Sequence, residues 1–194
     1  MNMAKNNNPD AKHLGFILTY FGSMSKLQAI YYLGKFYQRH PTVKIVNFLM
    51  DHKYVCALHG DNEVVSSTDS PLEIFTKEKE KCIWVFFKYM ELYFFKHKSL
   101  NVVTRNSANG VDFLLGDYDE NNQPINQKLY SLCYVSSKDL TIRPMLIRTN
   151  HDDALTYIFV CDSLEEARKI VKINTNDKIW YVTDNEVRFY KEEE

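Results

Sequence analysis

Glycine and proline are both scarce in this chain, six and five among 194 residues. So few glycines leave little material for a phosphate-cradling loop, and neither GxGxxG nor GxxxxGK[ST] is present. GxSxG and HExxH are also missing, which weakens the reading as an enzyme. The four cysteines, Cys56, Cys82, Cys133 and Cys161, form no CxxC pair and sit among apolar neighbours, where free cysteine behaves as a small hydrophobe. Reduced thiols are expected, and no cofactor or metal is called for. No apolar run approaches the ~18 residues that suggest a membrane span. The opening MNMAKNNNPDAK is polar and asparagine-rich, so residues 1–11 read as a flexible arm and not as an export signal. The expectation is a soluble, cytoplasmic protein with no membrane partner.

What is abundant is apolar and aromatic: 45% and 14% of residues, which excludes a disordered chain. A chain this long can bury a core as one domain or two. The net charge of −1 hides an uneven distribution. Residues 1–60 carry seven basic side chains against two acidic ones, a net of +5; the remainder has 17 against 23, a net of −6. A basic front is the part expected to approach a polyanion.

After the arm, Leu14, Ile17, Leu18 and Phe21 recur at helical spacing up to Gly22. SKLQ then supplies Ser25 as an N-cap and Gln28 as its reciprocal partner, a capping box. The second helix carries Leu27, Ile30, Tyr31 and Phe36 on its apolar side and stops before Pro41. A third helix, Thr42 to His52, buries Val43, Val46, Leu49 and Met50 and turns Lys44, Asn47 and Asp51 elsewhere. YVCAL and EVVSS flank a turn of His59, Gly60, Asp61 and Asn62, a hairpin. Three short helices followed by a hairpin is the order of a winged helix.

DSPLEIF opens the next helix with Ser70, Pro71 and Glu73 in cap positions. It runs to about Phe94 through CIWVFFKYMELYFF, too aromatic to be exposed, so it is expected to be buried between the front module and the rear half of the chain. The period then changes. LNVVT, VDFLLG, KLYSLCYVS, LTYIFVC, IWYVT and EVRFYK are short strand-like runs separated by turns such as SANG, DENNQP and NTND. TDNEV reads as the turn of a final hairpin. DSLEEARKIVKI is one helix, capped by Ser163 with Glu166 behind it and apolar at Leu164, Ala167, Ile170 and Val171. The whole reads as α+β: an arm over 1–11, a winged-helix domain over 12–68, a linking helix over 69–98, and over 99–194 a mixed sheet with one or two helices.

Three patterns invite chemistry. His52, Cys56 and His59 resemble a zinc set, but on a strand His52 and Cys56 stand about 13 Å apart, and zinc needs its ligands about 2 Å from one point. Asp112, Asp117 and Lys128 resemble the acid, acid and lysine of metal-dependent nucleases, yet the second-strand pair reads Asn126, Gln127, Lys128, with no acid. NHDDA, residues 150–154, is explained by turn formation. DNA contact is the leading reading instead. Thr42, Lys44 and Asn47 stand on the third helix, Lys53 and His59 lie near the wing, and Lys5, Lys12, Lys26, Lys35 and Arg39 are available for phosphates. The third helix offers no arginine, which suits modest, salt-sensitive binding better than base-specific readout.

The succession ILTYFGSMSKLQAIYYL, hairpin, KCIWVFF, VDFLLG, LYSLCYVS, TYIFVCDSLEEARKI and IWYVTDNEVRFYK resembles small winged-helix proteins of bacterial plasmids and integrative elements. These are akin to the replication-relaxation and mobilisation-accessory families. The likeness spans about Ala11 to Lys191. It implies a DNA-associated accessory role beside a relaxase or replication protein, and a rear domain that is nuclease-like in fold in some relatives. Three readings are open: a non-catalytic DNA-binding accessory protein on double-stranded DNA; a protein adaptor docking through its winged helix; and a nuclease. In the first, the rear domain supplies a homodimer or partner contact.

Overall fold

The computed structural model describes residues 8–38, 40, 43–58, 61–67, 75–93, 98–103, 110–139, 155–172, 178–183 and 186–190. The chain divides into two compact units, Met1–Phe75 and Thr76–Glu194.

The first unit begins with α1, Pro9–Phe21, which starts inside the segment read as an arm. Asn8 makes the difference: its side chain accepts from the backbone N–H of Asp10 at 2.9 Å and of Ala11 at 3.3 Å, and Pro9 fills the first helical position. The helix ends at Gly22, whose φ of 71° is the left-handed region that glycine reaches without strain. Three residues, Ser23–Ser25, then form a short strand, β1, that the sequence reading does not include. Ser25 caps α2, Lys26–Tyr37, by accepting from Gln28 N, while Gln28 Oε1 accepts from Ser25 N at 3.1 Å. The expected capping box is therefore present. The buried side of α2 is Gln28, Ala29, Tyr32 and Leu33; Leu27 is exposed and Ile30, Tyr31 and Phe36 are half-buried. The correction is a rotation of about one residue, because the β1 pairing fixes how α2 enters.

α3, Val43–Asp51, is followed by β2, Cys56–Leu58, and β3, Asp61–Ser66. The sheet is antiparallel in the order β1-β3-β2, with Ser23, Met24 and Ser25 opposite Ser66, Val65 and Val64. Asp61 and Asn62, expected in the turn, belong to β3. Leu14, Leu18, Met24, Ala29, Leu33, Val46, Leu49 and Val65 are wholly excluded from solvent. Burying each large apolar side chain contributes about 1.5–3 kcal/mol.

The second unit opens with α4, Lys77–Tyr93. Phe75 and Thr76 are not helical, so the helix expected from Pro71 is corrected to a start at Lys77. The Thr76 hydroxyl accepts from Lys79 N at 3.1 Å, and Glu78 and Glu80 favour the helix's positive end. Ser70, Pro71 and Glu73 lie outside the described residues.

A six-stranded mixed sheet completes the unit: β4 Lys98–Val103, β5 Gly110–Tyr118, β6 Pro124–Tyr134, β7 Leu155–Cys161, β8 Lys178–Thr183 and β9 Glu186–Phe189, in spatial order of sequence. β4, β5 and β6 are antiparallel neighbours, β6, β7 and β8 run parallel, and β9 returns antiparallel. α5, Leu164–Val171, makes the β7–β8 crossover. Side-chain alternation assigns the faces. Phe113 and Trp180 meet α4 through Phe86 and Tyr89, with ring centroids 5.2–5.7 Å apart. Cys133, Val135, Phe159, Cys161 and Ile179 pack on the opposite side with Ala167 and Ile170 of α5. At the start of α5, Ser163 Oγ accepts from Glu166 N as expected, but Glu166 Oε2 accepts from Asp162 N, one residue upstream of the cap. DENNQP forms a turn: Asp119 Oδ1 accepts from Asn121 N at 2.9 Å and Gln123 N at 2.7 Å. Residues 107–109 of SANG, all of NTND and residues 184–185 of TDNEV lie outside the described residues.

The chain is thus a mixed α/β protein with five helices among the described residues. No described helix is long and apolar enough to cross a membrane.

Candidate nucleic-acid interface

α3 is held to its unit along a narrow edge. Val46 and Leu49 are fully buried, while Val43, Lys44, Asn47, Phe48 and Asp51 are exposed. At 3.6 residues per turn, Lys44, Asn47, Phe48 and Asp51 are neighbours on one outward stripe. Val43 and Met50, expected in the core, are exposed by half and partly exposed respectively. The reason is length: nine residues give a fully buried stripe only two positions deep.

Beyond α3 the chain turns tightly. His52 N and Lys53 N donate to Phe48 O and Met50 O at 3.0 Å each, and Lys53 has a left-handed φ of 57°. His52 is held in place, its Nδ1 lying 2.9 Å from Phe48 O and its ring 3.9 Å from that of Phe48. The turn leaves a groove of about 650 Å³ lined by Lys26, Asn47, Met50, Asp51, Lys53, Val55, Cys56 and Ala57.

Three of the residues expected to meet DNA, Lys26, Asn47 and Lys53, therefore share one groove, with Lys44 one turn of α3 away. Lys12 on α1 and Lys35 on α2 are exposed and do not line it. Arg39, Thr42 and His59, like Lys5, lie outside the described residues. Lys26 departs from an open phosphate contact. Its side chain is only 9% exposed and its ammonium lies 3.6 Å from Glu63, a side chain 81% exposed. Sequence reasoning misses Glu63. β1 pairs Ser25 with Val64, so the next residues, Lys26 and Glu63, become neighbours; the signal is the three-residue strand, too short to show a period.

Charge is more even than a division at residue 60 suggests. The first unit extends to Phe75, adding Asp61, Glu63, Asp69 and Glu73, so it holds seven basic and six acidic residues, a net of +1.

The other patterns do not assemble. Cys56 Sγ donates to Ser67 O at 3.5 Å and His52 is engaged with Phe48. Among the described residues, no three of His, Cys, Asp and Glu are grouped to hold a metal ion. In β5, Asp112 is opposite Ser131 and Lys128 is opposite Leu115. Three residues separate those pairs, an odd number, so Asp112 and Lys128 stand on opposite faces of the sheet. Asp117 is opposite Ile125 beyond a register shift. The acid, acid and lysine of a nuclease are not brought to one point. NHDDA lies outside the described residues. All four cysteines are free thiols.

No family model, curated protein or solved structure matches the chain.

Proposed function

We propose that residues 12–68 form a winged helix that contacts double-stranded DNA. In this reading the chain is a non-catalytic accessory protein of a plasmid or integrative element, acting in replication, mobilisation or transcription control. The order α1-β1-α2-α3-β2-β3, with β1 on the sheet beside β3, supports it, because it is the order of a winged helix, in which the third helix and the hairpin meet the duplex. The observation that carries it is that α3 fully buries only Val46 and Leu49, which leaves Lys44 and Asn47 outward with Lys53 just beyond. Asn47 has the donor and acceptor that base edges require, and Lys12, Lys35, Lys44 and Lys53 suit phosphates. The second unit has no part in base reading here and supplies a homodimer or partner contact.

One observation favours a second reading, docking on a protein. Val43 is 50% and Phe48 45% exposed, and Asp51 shares their stripe; apolar and acidic groups are poor neighbours for phosphate. Fluorescence anisotropy with duplex DNA separates the two. DNA contact predicts binding at about 50 mM salt that Lys44→Glu with Lys53→Glu weakens at least about tenfold. Docking predicts no binding, or binding indifferent to both substitutions.

A further inference from the structure

We propose that the groove between α3 and β2 is a phosphate site, with Lys26 as its buried cation and Glu63 as an internal counter-charge that an incoming phosphate displaces. It deepens the reading of the first unit as an anion-binding module, and it stands whether or not that anion is DNA.

An ammonium taken out of water costs several kcal/mol unless a partner offsets it. Lys26 has nine-tenths of its side chain covered, yet Glu63, its carboxylate partner among the described residues, stands at 3.6 Å. That exceeds the 2.7–2.9 Å of a close charge-assisted hydrogen bond. Glu63 is also largely in water, where such pairs are weak. A cation held at depth with so loose a partner has attraction to spare for an anion in the groove that it lines.

The remaining lining defines the anion. Lys53 adds a second cation, and Asn47 offers a donor and an acceptor. Met50, Val55 and Ala57 give an apolar wall, and Asp51 opposes a second negative group. The volume of about 650 Å³ lies within the range of small-ligand pockets and exceeds what one phosphate fills. The chemistry therefore suits a single phosphate carried on an organic group, which either a DNA backbone or a free phosphate ester presents.

The test is a backbone amide NMR titration of the full-length chain with inorganic phosphate and, separately, with duplex DNA. Phosphate should shift the amides of Lys26, Asn47 and Lys53. Glu63→Gln removes the competitor and should tighten phosphate binding about threefold. Lys26→Met, close in volume, should weaken it at least about tenfold. If DNA moves the same amides and phosphate competes it away, the groove holds a backbone phosphate. If phosphate binds there and DNA does not bind at all, the groove holds a free phosphate ester, and the DNA reading fails while this one stands. No shift from millimolar phosphate in either the wild-type chain or Glu63→Gln overturns the proposal, even if Lys26→Met does not fold.

Discussion

At the scale of single residues, close approach and burial decide what can change. Gly116 lies at the β5–β6 register shift, where a Cβ would come 2.5 Å from Ile125 O and 2.9 Å from Gln127 Cγ. The first obstacle is backbone, which cannot rotate away, so Gly116→Ala should destabilise the second unit by about 1–3 kcal/mol. Urea unfolding followed by tryptophan fluorescence reads that unit alone, because both tryptophans, Trp84 and Trp180, belong to it. The same measurement tests titration. Burial pushes the Cys161 thiol up from 9.0 to about 12, and burial likewise raises the Tyr89 and Tyr134 hydroxyls. Each group is neutral when protonated, and its folded pKa exceeds the unfolded one. The Cys161 contribution is complete below pH 9.0 and is lost as pH rises from there towards about 12, and that of the two tyrosines is lost as pH rises above 10.0. The urea midpoint should fall between pH 8 and pH 10.5; a midpoint rising over that interval contradicts the assignment.

Among elements, the capping box of α2 couples stability to the site. Ser25→Ala removes the hydroxyl that accepts from Gln28 N and should cost about 1 kcal/mol, seen as roughly fivefold faster hydrogen exchange across α2 amides. Unchanged exchange would mean that tertiary packing alone holds the helix. That box is legible because Ser25 and Gln28 stand at the required spacing. The six strands of the second unit are legible too, from short β-branched and aromatic runs punctuated by turns. β1 is not, since three residues carry no period, and missing it conceals the meeting of Lys26 with Glu63. The start of α4 is misplaced because Ser70, Pro71 and Glu73 make a strong local signal, whereas Thr76 stops the helix from its other side. Within the site, Lys44 and Asn47 are rightly expected to turn away from the core. The exposure of Phe48 has no sequence signal; on so short a helix, hydrophobicity alone does not tell which apolar residues reach the core.

For the whole molecule, charge is the property that reaches beyond contact distance. A first unit with a net of +1 exerts little long-range attraction, so affinity for DNA depends on a few placed lysines and must be sensitive to salt. Among the described residues of this unit, four lysines, Lys12, Lys35, Lys44 and Lys53, are exposed. Neutralising about four phosphates predicts a slope of log K against log salt of roughly −3.5 on B-form duplex. Lys44→Ala should reduce the steepness by about one unit without altering the fold. Measuring that slope for the wild-type chain and Lys44→Ala tests α3 as the contact surface most directly. A slope of roughly −3.5 that becomes about one unit shallower is the predicted result; no binding at about 50 mM salt, or the same slope in both proteins, contradicts it.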